Sequence, residues 1–325
     1  MANVLITSAG RRVSLVKLFQ KTLYEMFGNS AKVFTTDLFP ELSSAAYQAN
    51  GSFKVGKFTD ADYMDVLLKI CLNNKIQLVI PTIDTELVLM AEHKNKFHEN
   101  GIEIIVSDLE FVKICRDKRK TNNFFSENGF LTPTEIDVNY PKYPIFIKPI
   151  SGSNSKDLHL IQKPEELTKS LINNEKYMYL EYLSPSLFDE YTLDIYYNKQ
   201  SELCCVVPRL RIETRAGEIS KGLTQKNHLM DFVKQNLASI KGVQGCITLQ
   251  LFSNKKTQEV YGIEINPRFG GGYPISYHAG ANYPELLIKE YLLGTNTKYF
   301  ESWESNILSL RFDEELIVKN YGLKS

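Results

Sequence analysis

Two apolar stretches decide how this chain is read: Cys246-Ile247-Thr248-Leu249-Gln250-Leu251-Phe252, and Tyr261-Gly262-Ile263-Glu264-Ile265-Asn266 running on into Pro267-Arg268. Side chains two apart on a strand share a face, so Glu264 and Asn266 project together. If the two strands pair as a hairpin across residues 254–258, Gln250 lies opposite them. Three oxygen donors on one face suit Mg²⁺, a hard ion that takes few protein ligands and keeps phosphate oxygens or waters. Arg268 continues that face and can neutralise a phosphoryl oxygen. An amphipathic hairpin with a solvent-facing polar side is the alternative. Ile263 and Ile265 on the other face, and the unusual strand ending, favour ligand binding. The run Phe269-Gly270-Gly271-Gly272-Tyr273-Pro274 then lets a ligand approach the backbone closely.

Upstream, Tyr143-Pro144-Ile145-Phe146-Ile147-Lys148-Pro149 is a short apolar strand ending in a cation, followed by the small-residue loop Ile150-Ser151-Gly152-Ser153-Asn154-Ser155. A lysine beside a hydroxyl-rich loop with free backbone donors is a triphosphate clamp in outline, although a strand-end lysine also snorkels in many proteins. Between the two regions, Val207-Pro208-Arg209-Leu210-Arg211 and residues 216–222 flank a hairpin. Arg209, Arg211 and Lys221 either bind a substrate carboxylate or phosphate or form an exposed cationic strand.

The first hundred residues alternate short apolar strands (4–7, 32–36, 78–81, 103–106) with amphipathic helices (13–26, 60–73, 85–100), and Thr59 is expected to cap the second helix. That alternation predicts βαβ units and a parallel sheet. The first strand ends in Thr7-Ser8-Ala9-Gly10-Arg11-Arg12, which offers one glycine where a GxGxxG fingerprint needs three, so no NAD site is expected. Gly10 reads as a tight strand-to-helix turn, and Arg11 or Arg12 could meet an anion there. Asp84, ahead of the 85–100 helix, reads as a helix cap, with a substrate role as the lesser alternative. Beyond about residue 108 a helix over 117–128 closes at Gly129. Strands then dominate (145–149, 158–161, 178–182, 191–197, 203–211, 247–252, 261–265), with helices expected at 164–174, 229–240 and 283–293. That half predicts an α+β architecture with largely antiparallel sheets.

With 325 residues, 43% hydrophobic and 23% charged, the chain has core material for two or three domains. Its formal net charge is zero, so nothing global favours nucleic acid or an acidic membrane. Five cysteines, Cys71, Cys115, Cys204, Cys205 and Cys246, show no CxxC pairing and read as reduced thiols of a cytoplasmic protein. No leader is expected, and no apolar run approaches a membrane span.

The ordered succession Asp117-Lys118, Gly129-Phe130-Leu131-Thr132-Pro133, Ile147-Lys148-Pro149 with Gly152-Ser153, Tyr179-Leu180-Glu181-Tyr182-Leu183, Glu190-Tyr191-Thr192-Leu193-Asp194, and Gln250 with Glu264-Ile265-Asn266-Pro267-Arg268 resembles the ATP-grasp superfamily. It is most similar to the carbamoyl-phosphate-synthase-like branch, which includes carboxylate–amine ligases. The resemblance implies a Rossmann-like N-terminal α/β domain (residues 1–110) before a two-lobed α+β ATP-grasp module (111–325, lobes about 111–177 and 178–325). It implies ATP and Mg²⁺ as cofactors, two ions being expected and Mn²⁺ an alternative. By the same resemblance Lys118 and Lys148 meet the ATP phosphates beside Ser153. Glu181 and the Tyr182–Leu183 backbone edge the adenine, and Glu190 takes the ribose. Gln250, Glu264 and Asn266 hold metal, and Lys148 and Arg268 are catalytic. The covering loop carries Ser155-Lys156-Asp157 where this family commonly has a glycine.

The expected activity is a carboxylate–amine ligation through an acyl phosphate, with small-molecule substrates, neither nucleic acid nor membrane as partner, and a homodimer allowed. The alternatives are a carboxylate or carbamate kinase-like enzyme of carbamoyl-phosphate type, and a non-catalytic ATP-binding regulatory subunit. The complete Gln250, Glu264 and Asn266 set disfavours the last. The chain is too short for two grasp modules and shows no glutaminase motif, which disfavours a full carbamoyl phosphate synthase.

Overall fold

Val4, Leu5 and Ile6 are all fully buried because the strand they form, β1 (Asn3–Ile6), has a packed layer on each side. Val4 and Ile6 join the core that includes helix α1 (Val13–Phe27), while Leu5 points to the opposite cluster. The computed structural model describes residues 2–150, 157–172, 174–215, 217–319 and 321–322. After α1 come β2 (Val33–Asp37), α2 (Ser44–Gln48), β3 (Gly51–Lys54), α3 (Tyr63–Asn73), β4 (Ile76–Ile80), α4 (Leu87–His98) and β5 (Glu103–Ile104). The five strands form an all-parallel sheet in the order β3-β2-β1-β4-β5. Strand order reverses between β1 and β4, the crevice at which open α/β sheets place ligands. Gly10 turns the chain there at φ +49°, its N–H donating to Asp37 Oδ2 at 3.0 Å, which is the tight turn expected of it.

Helices α5 (Leu109–Arg116) and α6 (Lys118–Glu127) lead out of this domain. Asp117 caps α6 by accepting from the N–H groups of Arg119 (2.9 Å) and Lys120 (3.2 Å). Strands β6 (Ile145–Pro149), β7 (His159–Ile161) and, after the short helix α7 (Lys169–Ile172), β8 (Tyr177–Glu181) form a three-stranded antiparallel sheet ordered β7-β6-β8. The lobe boundary expected at residue 177 would split this sheet, since β8 pairs with β6 along its whole length; the sheets change between Glu181 and Phe188.

The remaining elements are β9 (Phe188–Tyr197), β10 (Leu203–Arg215), β11 (Glu218–Thr224), α8 (His228–Asn236), β12 (Gly245–Asn254), β13 (Val260–Asn266), α9 (Tyr273–His278), α10 (Tyr283–Tyr291) and β14 (Leu308–Leu310). They build an antiparallel six-stranded sheet ordered β13-β12-β9-β10-β11-β14. One face is apolar: Leu193, Ile195, Ile247, Leu249 and Leu251 are fully buried in the main core. The chain is thus an α/β domain followed by a two-lobed α+β module.

Three local expectations are corrected. Helix α3 starts at Tyr63, so Thr59 is not its cap; Asp62 holds that position without a side-chain bond. The helix expected over 164–174 is a 3₁₀ turn, Pro164–Glu166, and the four-residue α7, with Asn173 outside the described residues. At the start of α7 the Thr168 and Ser170 hydroxyls bond to each other at 2.9 Å, a local arrangement that competes with continuous helix. Asp84 caps nothing; its carboxylate leaves the domain to meet Arg268, as described below. All five cysteines are free thiols, and among the described residues no helix is long and apolar enough to cross a membrane.

Candidate active site

Strand register lines up the polar side chains of the larger sheet. Gln250 pairs with Glu264 and Thr248 with Asn266 across the β12–β13 hairpin. On the other side of β12, Gln250 pairs with Thr192 and Thr248 with Asp194; on β10, Arg209 pairs with Thr192. Directly opposed residues share a face. One face therefore carries a polar stripe running from Glu264 and Asn266 to Arg209 and Arg211. The two-residue period read from the sequence is what sets it.

This stripe forms the floor of a cleft of about 720 Å³, and Lys118, Lys148 and Arg12 also line it. Lys148 sits inside β6 and is 5% exposed. Burial, then the neighbouring Lys118 charge, lowers its pKa to about 8, against the opposing pull of Glu264. Burial also lowers the Lys118 pKa, and Glu264 raises it. Two cations that lack full solvation and feel each other gain from an arriving polyanion. Lys118 enters the cleft from the first residue of α6, and its backbone N–H donates to the Ile150 carbonyl at 3.0 Å.

Glu264 has no hydrogen bond or ion pair with another side chain among the described residues, so its carboxylate is open to the cleft. Gln250 donates Nε2 to Glu190 at 2.6 Å, which leaves its amide oxygen for a ligand. Asn266 Oδ1 accepts from Arg268 Nη2 at 3.0 Å. One carboxylate with two amide oxygens is a sparse donor set, and no group of three His, Cys, Asp or Glu side chains able to hold a metal occurs among the described residues. Such a set fits a hard cation that takes most of its ligands from phosphate and water, and would not hold one alone.

Arg268 carries the site into the N-terminal domain. Its Nη2 and Nε lie 2.6 and 3.1 Å from Asp84 Oδ2, and both side chains are largely buried. Sequence reasoning assigned Asp84 to helix capping because capping is local, whereas this partner lies 184 residues away.

Arg209 is 1% exposed, beside the fully buried Asp194. Nη2 donates to Oδ1 at 3.0 Å; Nε is 2.8 Å from Oδ2 but is not aligned to donate, so that contact is an ion pair only. Asp194 also accepts from Ser276 Oγ at 2.6 Å and Thr248 Oγ1 at 3.3 Å. Arg211 Nε lies 3.0 Å from Glu190 Oε1.

Other expected positions lie elsewhere. Lys221 pairs with Glu213 at 2.6 Å, both exposed, which is the surface alternative for that residue. Glu190, expected at the ribose, meets Gln250 Nε2 (2.6 Å) and Arg211 Nε (3.0 Å), both through Oε1. The Glu181 carboxylate is held by the Thr134 N–H (2.9 Å) and hydroxyl (3.1 Å), which leaves backbone at Tyr182 and Leu183 for a base edge. Ser153 lies outside the described residues. Arg12, flagged only as an anion contact at a helix start, proves to be a wall of the cleft.

The comparisons with known proteins agree with this architecture. Residues 4–105 match the family described as "PylC-like, N-terminal domain", and residues 173–311 match "ATP-grasp in the biosynthetic pathway with Ter operon". A carbamoyl-phosphate synthase of Methanobrevibacter smithii is 24% identical over 228 residues, which span 64% of this chain and 61% of that protein. Among solved structures, the chain is similar to an L-amino acid ligase from Bacillus licheniformis (TM-score 0.68, 16% identity, 92% of this chain and 75% of that one). It is also similar to the biotin carboxylase domain of Hydrogenobacter thermophilus 2-oxoglutarate carboxylase, solved with MgADP and bicarbonate (TM-score 0.70, 13% identity, 93% and 72%). The N-terminal α/β domain is thus PylC-like in sequence, and the module that follows carries an ATP-grasp match.

Proposed function

We propose that the protein is an ATP-dependent carboxylate–amine ligase that activates a small-molecule carboxylate as an acyl phosphate and releases ADP and phosphate. The observation that carries this reading is that one cleft brings together Lys118, Lys148, the open carboxylate of Glu264 and Arg268. Phosphoryl transfer needs alignment and charge neutralisation more than covalent help, and this set supplies cations together with an acidic centre. Lys118 and Lys148 hold the phosphate chain. Glu264, with the Gln250 and Asn266 amide oxygens, would hold Mg²⁺, which supplies Lewis acidity at the phosphoryl oxygens when bound. Arg268, kept in place by Asp84, orients the carboxylate in line with the γ-phosphorus. The carboxylate oxygen attacks, the bond to the β-phosphate breaks, and ADP departs. An amine then attacks the acyl carbon and expels phosphate, its proton passing to the leaving group or to water.

A screen of carboxylic acids and amines for amine-dependent ADP release tests this reading, and ADP release that never depends on an amine would favour the kinase-like alternative. The backbone at Tyr182 and Leu183, assigned to the adenine edge, gives a second expected outcome. ATP should bind about tenfold or more tightly than GTP, because the wrong base edge leaves a backbone donor or acceptor unpaired. Calorimetry showing equal affinities, or affinity unchanged by EDTA, would remove the nucleotide assignment.

A further inference from the structure

We propose that Arg12 and Arg209, which meet at the neighbouring glycines Gly271 and Gly272, form a second anion subsite, and that the substrate bears a carboxylate or phosphate group there besides the carboxylate that reacts. The identity of the reacting group rests on the ligase reading; the subsite itself does not.

Arg209 Nη1 is buried and has no hydrogen-bond partner, although the rest of that guanidinium is fixed by Asp194. A buried donor left unpaired in a lined cleft is an unusual thing to maintain unless a ligand completes it. Arg12 is similarly open. Its one side-chain hydrogen bond among the described residues is a 3.3 Å contact from Nη2 to the Thr82 carbonyl, and no carboxylate lies within ion-pair distance. Burial, then the like charge of Arg268, lowers its pKa to about 10, so it stays a cation at neutral pH.

Of the surrounding carboxylates, Asp84 holds Arg268 and Glu218 holds Arg311, while Asp194 pairs with Arg209 itself, so the uncompensated charge among the described residues here is that of Arg12. Gly271 and Gly272 let the backbone pass close to both guanidinium groups. A Cβ on Gly271 would stand 3.2 Å from both Arg12 Nη1 and Glu218 Oε1, and one on Gly272 would collide with Arg209 Nη1. A monocarboxylate would be served by Arg268 alone. Two more guanidinium groups at this end of the cleft match a second negative group, and planar forks suit either carboxylate or phosphate oxygens.

Calorimetry on the full chain without nucleotide tests the proposal. The probes are succinate, glutarate and adipate, their monocarboxylate counterparts butyrate, valerate and hexanoate, and inorganic phosphate. At least one dianion should bind about tenfold more tightly than the monocarboxylates. Arg12→Ala should abolish that difference, Arg12→Lys should retain part of it, and Gly271→Val should weaken it without removing a charge. Circular dichroism and thermal midpoints establish that each variant is folded. If phosphate alone shows Arg12-dependent binding, the distal group is a phosphate; if only dicarboxylates do, it is a carboxylate. Equal binding of mono- and dianions, a preference that survives Arg12→Ala, or no binding of any probe at millimolar concentration overturns the subsite. MgATP titrated into the unmodified protein tests the ligase reading separately, so either can fail without the other.

Discussion

Replacing Glu264 with glutamine is expected to reduce ADP formation by roughly a thousandfold, while thermal unfolding and the circular dichroism spectrum stay as they are. Glu264 is the single carboxylate that the β12–β13 stripe offers to the cleft, because Asp194 on the same face is tied to Arg209 and Glu190 to Arg211. A neutral amide of the same shape keeps the strand and its pairing with Gln250, so the fold has no reason to change. It removes the negative charge on which a divalent cation at this position depends. The measurement is steady-state ADP release at saturating Mg²⁺ with the activated carboxylate substrate. An unchanged rate would show that the metal does not sit at this stripe.

A second substitution should be severe for the opposite reason, through stability. Asp194→Ala is expected to cost about 3–5 kcal/mol, the range for leaving one member of a buried ion pair alone. Against a total stability of about 5–15 kcal/mol, that is enough to leave much of the protein unfolded near its growth temperature. Asp194 is fully buried, and besides Arg209 it accepts from the Ser276 hydroxyl, tying β9 to β10 and α9. The double variant Asp194→Ala, Arg209→Met should recover a large part of the loss, since no buried charge then remains. Guanidinium-induced unfolding monitored by tryptophan fluorescence reads this, Trp303 being buried in the same core. A loss below about 1 kcal/mol for the single change would mean that the pair is solvated and that Arg209 is not held.

The parts of the site that could be read in the sequence are those that strand geometry determines. Gln250, Glu264 and Asn266 fall on one face because a short hairpin fixes register and the side-chain period is two. Lys148 followed from an apolar run too short for anything but a strand. Contacts between distant segments gave no such signal. Asp84 meets Arg268 only because the parallel sheet points its C-terminal edge at the β13 exit, and no local pattern encodes that orientation. Arg12 was visible as a cation after β1 but not as a cleft wall. The Glu181 and Glu190 side chains had been given to ligands, yet each found a protein partner: Thr134 for the first, Gln250 and Arg211 for the second. The 164–174 segment failed as a helix because its apolar residues are too few: Leu167 and Leu171 both pack on the small core of the three-stranded sheet, and two short turns deliver them.

The central claim is that the charges at the γ-phosphate end of the cleft serve an acyl phosphate. Lys118, Lys148, Glu264 and Arg268 all line the cleft. An adenylate-forming site would instead gather its cations around the α-phosphate. The direct measurement is a hydroxylamine trap run with ATP, Mg²⁺ and a carboxylate substrate in the absence of amine, with the nucleotide products separated by ion-exchange chromatography. The expected result is a hydroxamate formed in equal amount to ADP and phosphate, with its rate set by the carboxylate concentration. Hydroxamate accompanied by AMP and pyrophosphate would contradict the acyl-phosphate mechanism, even with ATP bound in this cleft.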